Sequence, residues 1–501
     1  MKRIYKVFSV FSIFSVFSVS AALSQTAYDA ERFATTDLNG TARYVGMGGA
    51  MGALGGDMTT MTTNPAGTAM MSRGDISFTM SGLFGGTKGV LGRDRGRASI
   101  DQAGVVIPFA IDEGSLRNIT LGINFNKNKN FFGNQDTEIA NLGQVFSQTW
   151  QLADMANGCT GLADDQWGIL PYAATEEPSI LGYDQIQGHY GYGAEAAHYQ
   201  RNSYGGQSEV DLNMGFNISN QIFLGFTLGI HDMDYHRNSM YEELGVDDNF
   251  FDFTSYYRTY GDGVDVKLGA IFRPIASSPF RFGVSIHTPT WYRLTDYNGT
   301  ELYYNDQYVY REDAADFKYR YRTPWKFGLS VGHTIGDYFA IGAEYELADL
   351  SSCKYNTETD FEMNNDSYFA EQNWFIKNNL QTQHTFKVGM EVKPADNFSI
   401  RCGYNYVSAP TKADAYHTLS PTSMLTDTDY TNWKTTNRLT LGLGFKFKGG
   451  YFDLAYQYST QKGDFYAFND SYTENGMTYS LAPTEIENNR SQVMATLGFR
   501  F

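Results

Sequence analysis

The chain ends MATLGFRF, and its last residues alternate in character one by one. Val493, Ala495, Leu497, Phe499 and Phe501 are apolar, with Met494, Thr496, Gly498 and Arg500 between them. Successive side chains of a strand point to opposite faces, so this segment has one greasy face and one mostly small or polar face. A soluble edge strand ends in charge or proline to discourage pairing. A strand that does the reverse needs a partner on each side and apolar surroundings.

The same pattern recurs along the chain. Leu439, Leu441, Leu443, Phe445 and Phe447 interleave with Thr440, Gly442, Gly444 and Lys446. Val210, Leu212, Met214, Phe216 and Ile218 interleave with Asp211, Asn213, Gly215 and Asn217. Such runs fall near 75–84, 98–110, 117–128, 206–218, 221–234, 251–273, 279–296, 315–334, 338–355, 382–394, 397–408, 434–448, 450–466 and 489–501. They number fourteen, the even count that a closed single-chain bacterial barrel requires. Many exceed the roughly 9–11 residues a tilted strand needs to cross a bilayer, so their surplus projects beyond it.

The connections sort by parity. After even runs they are short: 111–116, 220, 275–278, 336–337, 395–396 and 449. After odd runs they are long: 129–205, 235–250, 297–314, 356–381, 409–433 and 467–488, with 85–97 intermediate. A soluble sandwich gives the alternation but has no reason to sort its loops. An outer-membrane barrel does, with the short turns periplasmic. The fold expected is an all-β, 14-stranded antiparallel transmembrane barrel over 75–501.

The flanks agree with this reading. Lys2, Arg3 and Lys6 precede an apolar stretch, Val7 to Leu23, that closes on Ala22-Leu23-Ser24, so 1–24 reads as a cleaved export signal. Beyond it no charge-free stretch is long enough for a membrane-spanning helix. Aromatic residues make up 16% and glycines number 51, whereas Cys159, Cys353 and Cys402 are three and widely spaced. Neither a disulfide framework nor a metal centre is expected from them. A net charge of −17 excludes nucleic acid as a partner.

Residues 25–74 are not barrel. The stretch TARYVGMGGAMGALGGDMTTMTTNPAGTAMMSRG (41–74) is too rich in Gly, Ala, Met and Thr for a charged, disordered tail. Its glycines do not form a dinucleotide loop, because no strand precedes them and Met51 replaces the last glycine. Small residues and the turn signature Asn64-Pro65-Ala66-Gly67 suit a compact plug inside the lumen.

On these residues the chain resembles the FadL-type outer-membrane transporters of long-chain fatty acids and other hydrophobic compounds. ARYVGMGGAMGALGGD followed by TTNPAG is similar to members from the Bacteroidetes, some labelled hemin receptors. The resemblance implies passive transport, with Asn64, Pro65, Ala66 and Gly67 as the gating element of the plug. It further implies that this turn faces a kink in the third strand, so that run 117–128 borders a lateral exit. The loop at 129–205 is longer than the family leads one to expect.

Inward charges of the barrel include Asp211, Asp265, Lys267, Lys326, Glu344, Glu346, Lys387, Glu391, Arg401 and Asp453. Lys267, Lys326, Lys387 and Arg401 are candidate contacts for a ligand headgroup; the plainer alternative is a charge-paired lumen. His231 and His287 also face inward, where imidazole suits haem iron, yet no spacing rule links them. Residues 138–155 carry Leu142, Val145, Phe146, Leu152 and Met155 near helical spacing, for docking a ligand or for packing on their own loop. No catalytic group, cofactor or metal site is expected, and no enzyme. The partners expected are outer-membrane lipids and lipopolysaccharide, a hydrophobic small molecule, and the barrel-assembly machinery that reads the terminal aromatic. An alternative role is a non-transporting barrel in protein secretion or assembly, and a weaker one is haem uptake. An apolar-lined lumen favours transport, and a lumen packed by charge pairs favours the structural role.

Overall fold

A computed structural model describes residues 25–501 except 89–95, 112–113, 141, 143–145, 160, 164–167, 169, 173–193, 246–249, 305–306, 314–315, 359–367, 424 and 475–476. The export-signal reading of 1–24 and much of the long loop therefore lie outside the described residues. Fourteen strands close an antiparallel barrel. They are β1 (Asp75–Lys88), β2 (Arg97–Ala110), β3 (Leu116–Asn130, resuming at Gly133–Ile139), β4 (Ala194–Ile218) and β5 (Ile222–Gly245). Next come β6 (Phe250–Phe272), β7 (Arg281–His287 and Trp291–Tyr304), β8 (Gln307–Asp313, Phe317–Arg322 and Lys326–Ile335) and β9 (Phe339–Asp349 and Lys354–Thr357). The last are β10 (Thr382–Ala395), β11 (Phe398–Val407), β12 (Tyr430–Phe447), β13 (Gly450–Tyr466) and β14 (Thr484–Arg500).

Every alternating run of the sequence is a strand. The seam pairs β1 with β14 from Asp75↔Arg500 to Lys88↔Glu487, and Gly74 and Phe501 exchange backbone hydrogen bonds of 2.9 and 3.0 Å. Closure leaves no edge, which a wall in hydrocarbon demands because each unpaired backbone group costs several kcal/mol. The outward residues form an exposed apolar belt that includes Phe78, Leu121, Leu212, Leu224, Leu268, Leu329, Val388, Leu441 and Leu497. Trp291 and Trp325 lie at its margin towards the long connections.

The boundaries differ from expectation in several places. Runs 279–296 and 315–334 are each interrupted, at 288–290 and 323–325. Pro289 and Pro324 stand in these gaps and have no N–H to give a ladder. Threonine hydroxyls take the place of the lost backbone partners: Val266 N donates to Thr288 Oγ1 (3.0 Å) and Thr290 N to Thr323 Oγ1 (2.8 Å). Run 338–355 breaks at a short turn, Leu350–Ser352, capped by Asp349. Finally, 235–245, 297–304 and 307–313 are ladder rather than loop, paired out to Leu244↔Phe250 and Tyr304↔Gln307. The alternation continues there beyond the belt, with Tyr235, Arg237, Ser239, Tyr241 and Glu243 turned inward and buried.

The expected helix over 138–155 is displaced. Residues to Ile139 belong to β3, and the helix α4 covers Gln148–Gly158. Its Leu152 and Met155 pack with Leu142, Phe146, Tyr199, Phe251 and Phe465, so that face is buried and unavailable for docking.

Candidate functional site

Residues 25–74 lie inside the barrel and run along its lumen. Helix α1 (Ala27–Ala34) sits beyond the belt, at the long-connection end. Thr26 and Asp29 form a reciprocal cap for it: Asp29 N donates to Thr26 Oγ1 (3.0 Å) and Thr26 N to Asp29 Oδ2 (3.2 Å). Hydroxyls from the wall hold this helix, Tyr355 donating to Thr26 O (2.9 Å) and Tyr321 to Ala30 O (2.6 Å), and the helix's own Tyr28 hydroxyl donates to Asn432 Oδ1 of the wall (2.7 Å). Around it packs a core of Phe33, Phe131, Tyr235, Tyr257, Tyr292 and Tyr319. Asp296 accepts from Gln25, Tyr257, Thr259 and Tyr319 at 2.7–3.0 Å. Burial pushes its carboxyl up to about 7, and the side-chain donors pull against that rise.

From there the segment descends through α2 (Ala42–Gly46) and α3 (Thr60–Thr63) to a 3₁₀ turn (Pro65–Met70) that leads into β1. What lets it lie against the wall is the inward glycines. A Cβ on Gly389 would meet Met47 O at 2.0 Å, and one on Gly403 would meet Gly48 N at 2.3 Å. One on Gly225 would meet the Pro65 carbonyl carbon at 2.1 Å, and one on Gly269 would meet Asn64 Oδ1 at 2.1 Å. These glycines are the small partners in the alternation of β5, β6, β10 and β11. Their role as docking positions was invisible in sequence because nothing there says which small residue faces a second backbone.

Ion pairs complete the anchorage. Lys387 binds Glu344 (2.7 Å) and Glu346 (3.5 Å), while Gly52 N donates to Glu344 (3.0 Å). Arg401 bridges Glu391 and Asp453, both at 2.6 Å, and Arg43 of α2 reaches Glu391 at 3.3 Å. Lys267 meets Glu209 and Asp211. Three of the four headgroup candidates are therefore committed to buried carboxylates. Lys326 makes no ion pair among the described residues and lines the lumen cavity. Arg438 and Arg490 line it too, bonded to Asn405 Oδ1 (2.9 Å) and Phe132 O (2.9 Å), and the sequence reading did not single them out.

That cavity has a volume of about 310 Å³ and lies between two covers. Below are Leu38, Tyr44, Thr62 and Thr63 of the N-terminal segment. Above, the connection between β11 and β12 folds into the barrel mouth and buries Leu425, Thr426 and Asp427. Asp427 pairs with Arg237 and accepts from Ser239 (2.6 Å), while Asp429 pairs with Arg201 (3.1 Å). The lining is largely polar. A second space of about 240 Å³ adjoins it, bordered by Tyr28, Tyr368, Phe375, Tyr416 and His417.

The Asn64-Pro65-Ala66 turn is closed by Ala66 N donating to Asn64 Oδ1 (3.2 Å), and Asn64 Nδ2 donates to Gly52 O (2.8 Å). It rests on β4, β5, β6 and β7, where Asn213, Gly225, Gly269 and Gly283 meet it. Strand β3 faces other parts of the segment, Met61 at Gly122 and Met71 at Asn118. The turn thus does not look onto the third strand as the resemblance implied. The two lumen histidines are also engaged: His287 Nε2 bonds Thr63 O (2.8 Å) and His231 Nε2 bonds Asp265 (3.0 Å).

No protein-family model matches the chain, and no curated protein matches it in sequence. Solved structures share its architecture. A FadL homologue of Pseudomonas aeruginosa is 12% identical over 93% of this chain and 99% of its own, with a TM-score of 0.52. The toluene transporter TodX of P. putida is 10% identical over the same shares, with a TM-score of 0.52. The monoaromatic hydrocarbon channel CymD is 10% identical, again over 93% and 99%, with a TM-score of 0.51. Identities this low establish a common fold.

Proposed function

We propose that this chain is a passive channel of the bacterial outer membrane for hydrophobic and amphipathic small molecules, closed by residues 25–74. The observation that carries the reading is a lumen cavity enclosed between an N-terminal plug and an inward-folded connection, within a sealed barrel that shows an apolar belt. Neighbours in fold that are named as a toluene transporter and a hydrocarbon channel support it. The long connections then face outside and the short turns the periplasm. Lipid and lipopolysaccharide surround the belt, and the assembly machinery reads the terminal Phe501. A polar cavity with Lys326, Arg438 and Arg490 on its wall suits an amphipathic ligand, such as a long-chain fatty acid, better than a bare hydrocarbon. Asn64, Pro65, Ala66 and Gly67 hold the gate. The test is uptake of a panel of fatty acids and aromatic hydrocarbons into proteoliposomes containing wild type or N64A/P65A, against protein-free vesicles. Wild type should exceed empty vesicles for at least one amphipathic probe, and the variant should differ from wild type.

A second reading has an observation of its own. The wall network of Lys387, Glu344, Arg401, Glu391 and Asp453 holds the plug through Arg43 on Glu391 and Gly52 N on Glu344, as a barrel built for a structural role in secretion or assembly requires. If no probe crosses faster with wild type than without protein, that reading takes the place of transport.

A further inference from the structure

On the wall of the lumen cavity, cross-strand register gathers a set of metal-binding side chains. Glu209 of β4 pairs directly with His231 of β5, and Asp265 of β6 lies one diagonal step away, opposite Gly229. Gly229 has no side chain, which leaves a notch into which its neighbours converge, the Lys267 ammonium among them. A Cβ on Gly229 would meet Asp265 Oδ1 at 2.3 Å and Glu209 Oε1 at 2.6 Å. One ligand atom each from Glu209, His231 and Asp265 lie within 4.8 Å of one another. His231 Nε2 is 3.0 Å from Asp265 Oδ2 and 3.7 Å from Glu209 Oε1. These edges bracket the roughly 3.4 Å separation that ligands have around a tetrahedral ion with bonds of about 2.1 Å.

The charge balance points the same way. Glu209, Asp211 and Asp265 bring three buried carboxylates at the level of Ile230 and Val264 in the belt. A single ammonium, Lys267, answers them, in contact with Glu209, 2.9 Å from Asp211 and 3.7 Å from Asp265 Oδ1. Asp265 Oδ1, buried and turned into the notch, has no hydrogen-bond partner, and neither has His231 Nδ1. A buried negative surplus is costly unless a cation neutralises it.

We propose that Glu209, His231 and Asp265 form a binding site for a borderline divalent cation of the zinc or manganese type. One imidazole with carboxylate oxygens suits such an ion; calcium prefers an all-oxygen cage and soft ions prefer thiolate. Lys267 swings from Glu209 towards Asp211 as the ion enters from the cavity. The ion then ties β4, β5 and β6 together directly above the glycines on which the Asn64-Pro65 turn rests. The proposal does not depend on the chain being a transporter.

The test uses the purified full-length protein in detergent, stripped with chelator, desalted and reloaded with zinc or cobalt. Wild type should retain one zinc per chain by elemental analysis and give cobalt visible bands of a low-coordinate nitrogen-oxygen site. H231A and D265N should bind zinc at least tenfold more weakly and lose those bands. H198A, which removes a partly exposed imidazole between Asp136 and Glu242, should behave as wild type. Heat-modifiable gel mobility checks folding, and E209Q replaces any variant that fails to fold. The proposal falls if wild type binds no more zinc than H231A, if H198A alone abolishes binding, or if equimolar calcium displaces the ion.

Discussion

Arg401 is the side chain on which the lower lumen depends most. It stands between two buried carboxylates, Glu391 and Asp453, and removing it leaves Asp453 without its ion-pair partner and Glu391 with Arg43 and Lys393 alone. Arg401→Met should cost about 3–5 kcal/mol in equilibrium unfolding from detergent micelles, the usual penalty for breaking a buried pair. Asn64→Ala with Pro65→Ala is milder, since the strand ladder does not use either residue. It should loosen the plug by about 1–2 kcal/mol, the worth of a lost cap, while gel mobility of the folded barrel is unchanged. Asp296 sets a pH dependence at the opposite end. Its native carboxyl keeps a proton up to about pH 7, whereas the unfolded chain releases it near 3.8. Between these values the native state binds more protons, so stability falls as pH rises through the window, by about 1.4 kcal/mol per unit. Amide exchange of residues 27–34, corrected for its intrinsic pH dependence, should show weaker protection at pH 8 than at pH 5. Asp296→Asn should flatten that difference.

Strands were legible because a wall with lipid on one face and a lumen on the other forces a strict two-residue alternation, as in Leu439 to Phe447. The breaks at Pro289 and Pro324 were legible in principle, since proline cannot serve a central ladder, yet the alternation on either side masked them. The inward fold of the β11–β12 connection was not. Its Thr426-Asp427-Thr428-Asp429 reads as solvated loop, and Arg237 and Arg201, far away in sequence, neutralise its two buried carboxylates. Topology labelling must respect this. Cysteines at Asp337 and Asp396 should react only from the periplasm, and one at the exposed Met477 from outside intact cells. Asp427, although on a long connection, should label poorly from either side. Surface labelling of Asp337 would invalidate the strand count. In β14, deleting Phe501 removes a mostly exposed ring and the last backbone exchange with Gly74. It should reduce outer-membrane insertion far more than it alters the unfolding midpoint of protein already folded.

For the molecule as a whole, the barrel and its lining segment are two structures of opposite logic. The wall follows from periodicity and so could be read residue by residue. The plug's placement follows from contacts between backbone and distant glycines, and the ligand set at Glu209, His231 and Asp265 from register across three strands; neither leaves a spacing in the chain. Deleting residues 41–74 should therefore leave a folded barrel that leaks small polar solutes, measurable as dye efflux from liposomes. The path of residues 25–74 has a further consequence, for how the protein is made. Gln25 is buried at one mouth while Gly74 meets Phe501 at the other. Once the seam has shut, that length of chain would have to be threaded past Arg401, Lys387 and Lys267 into a space already filled with side chains. Assembly must instead wrap the sheet around it, as staves are raised around a post, so a bulky group attached at Gln25 should stall the closing of the β1–β14 seam rather than delivery to the membrane.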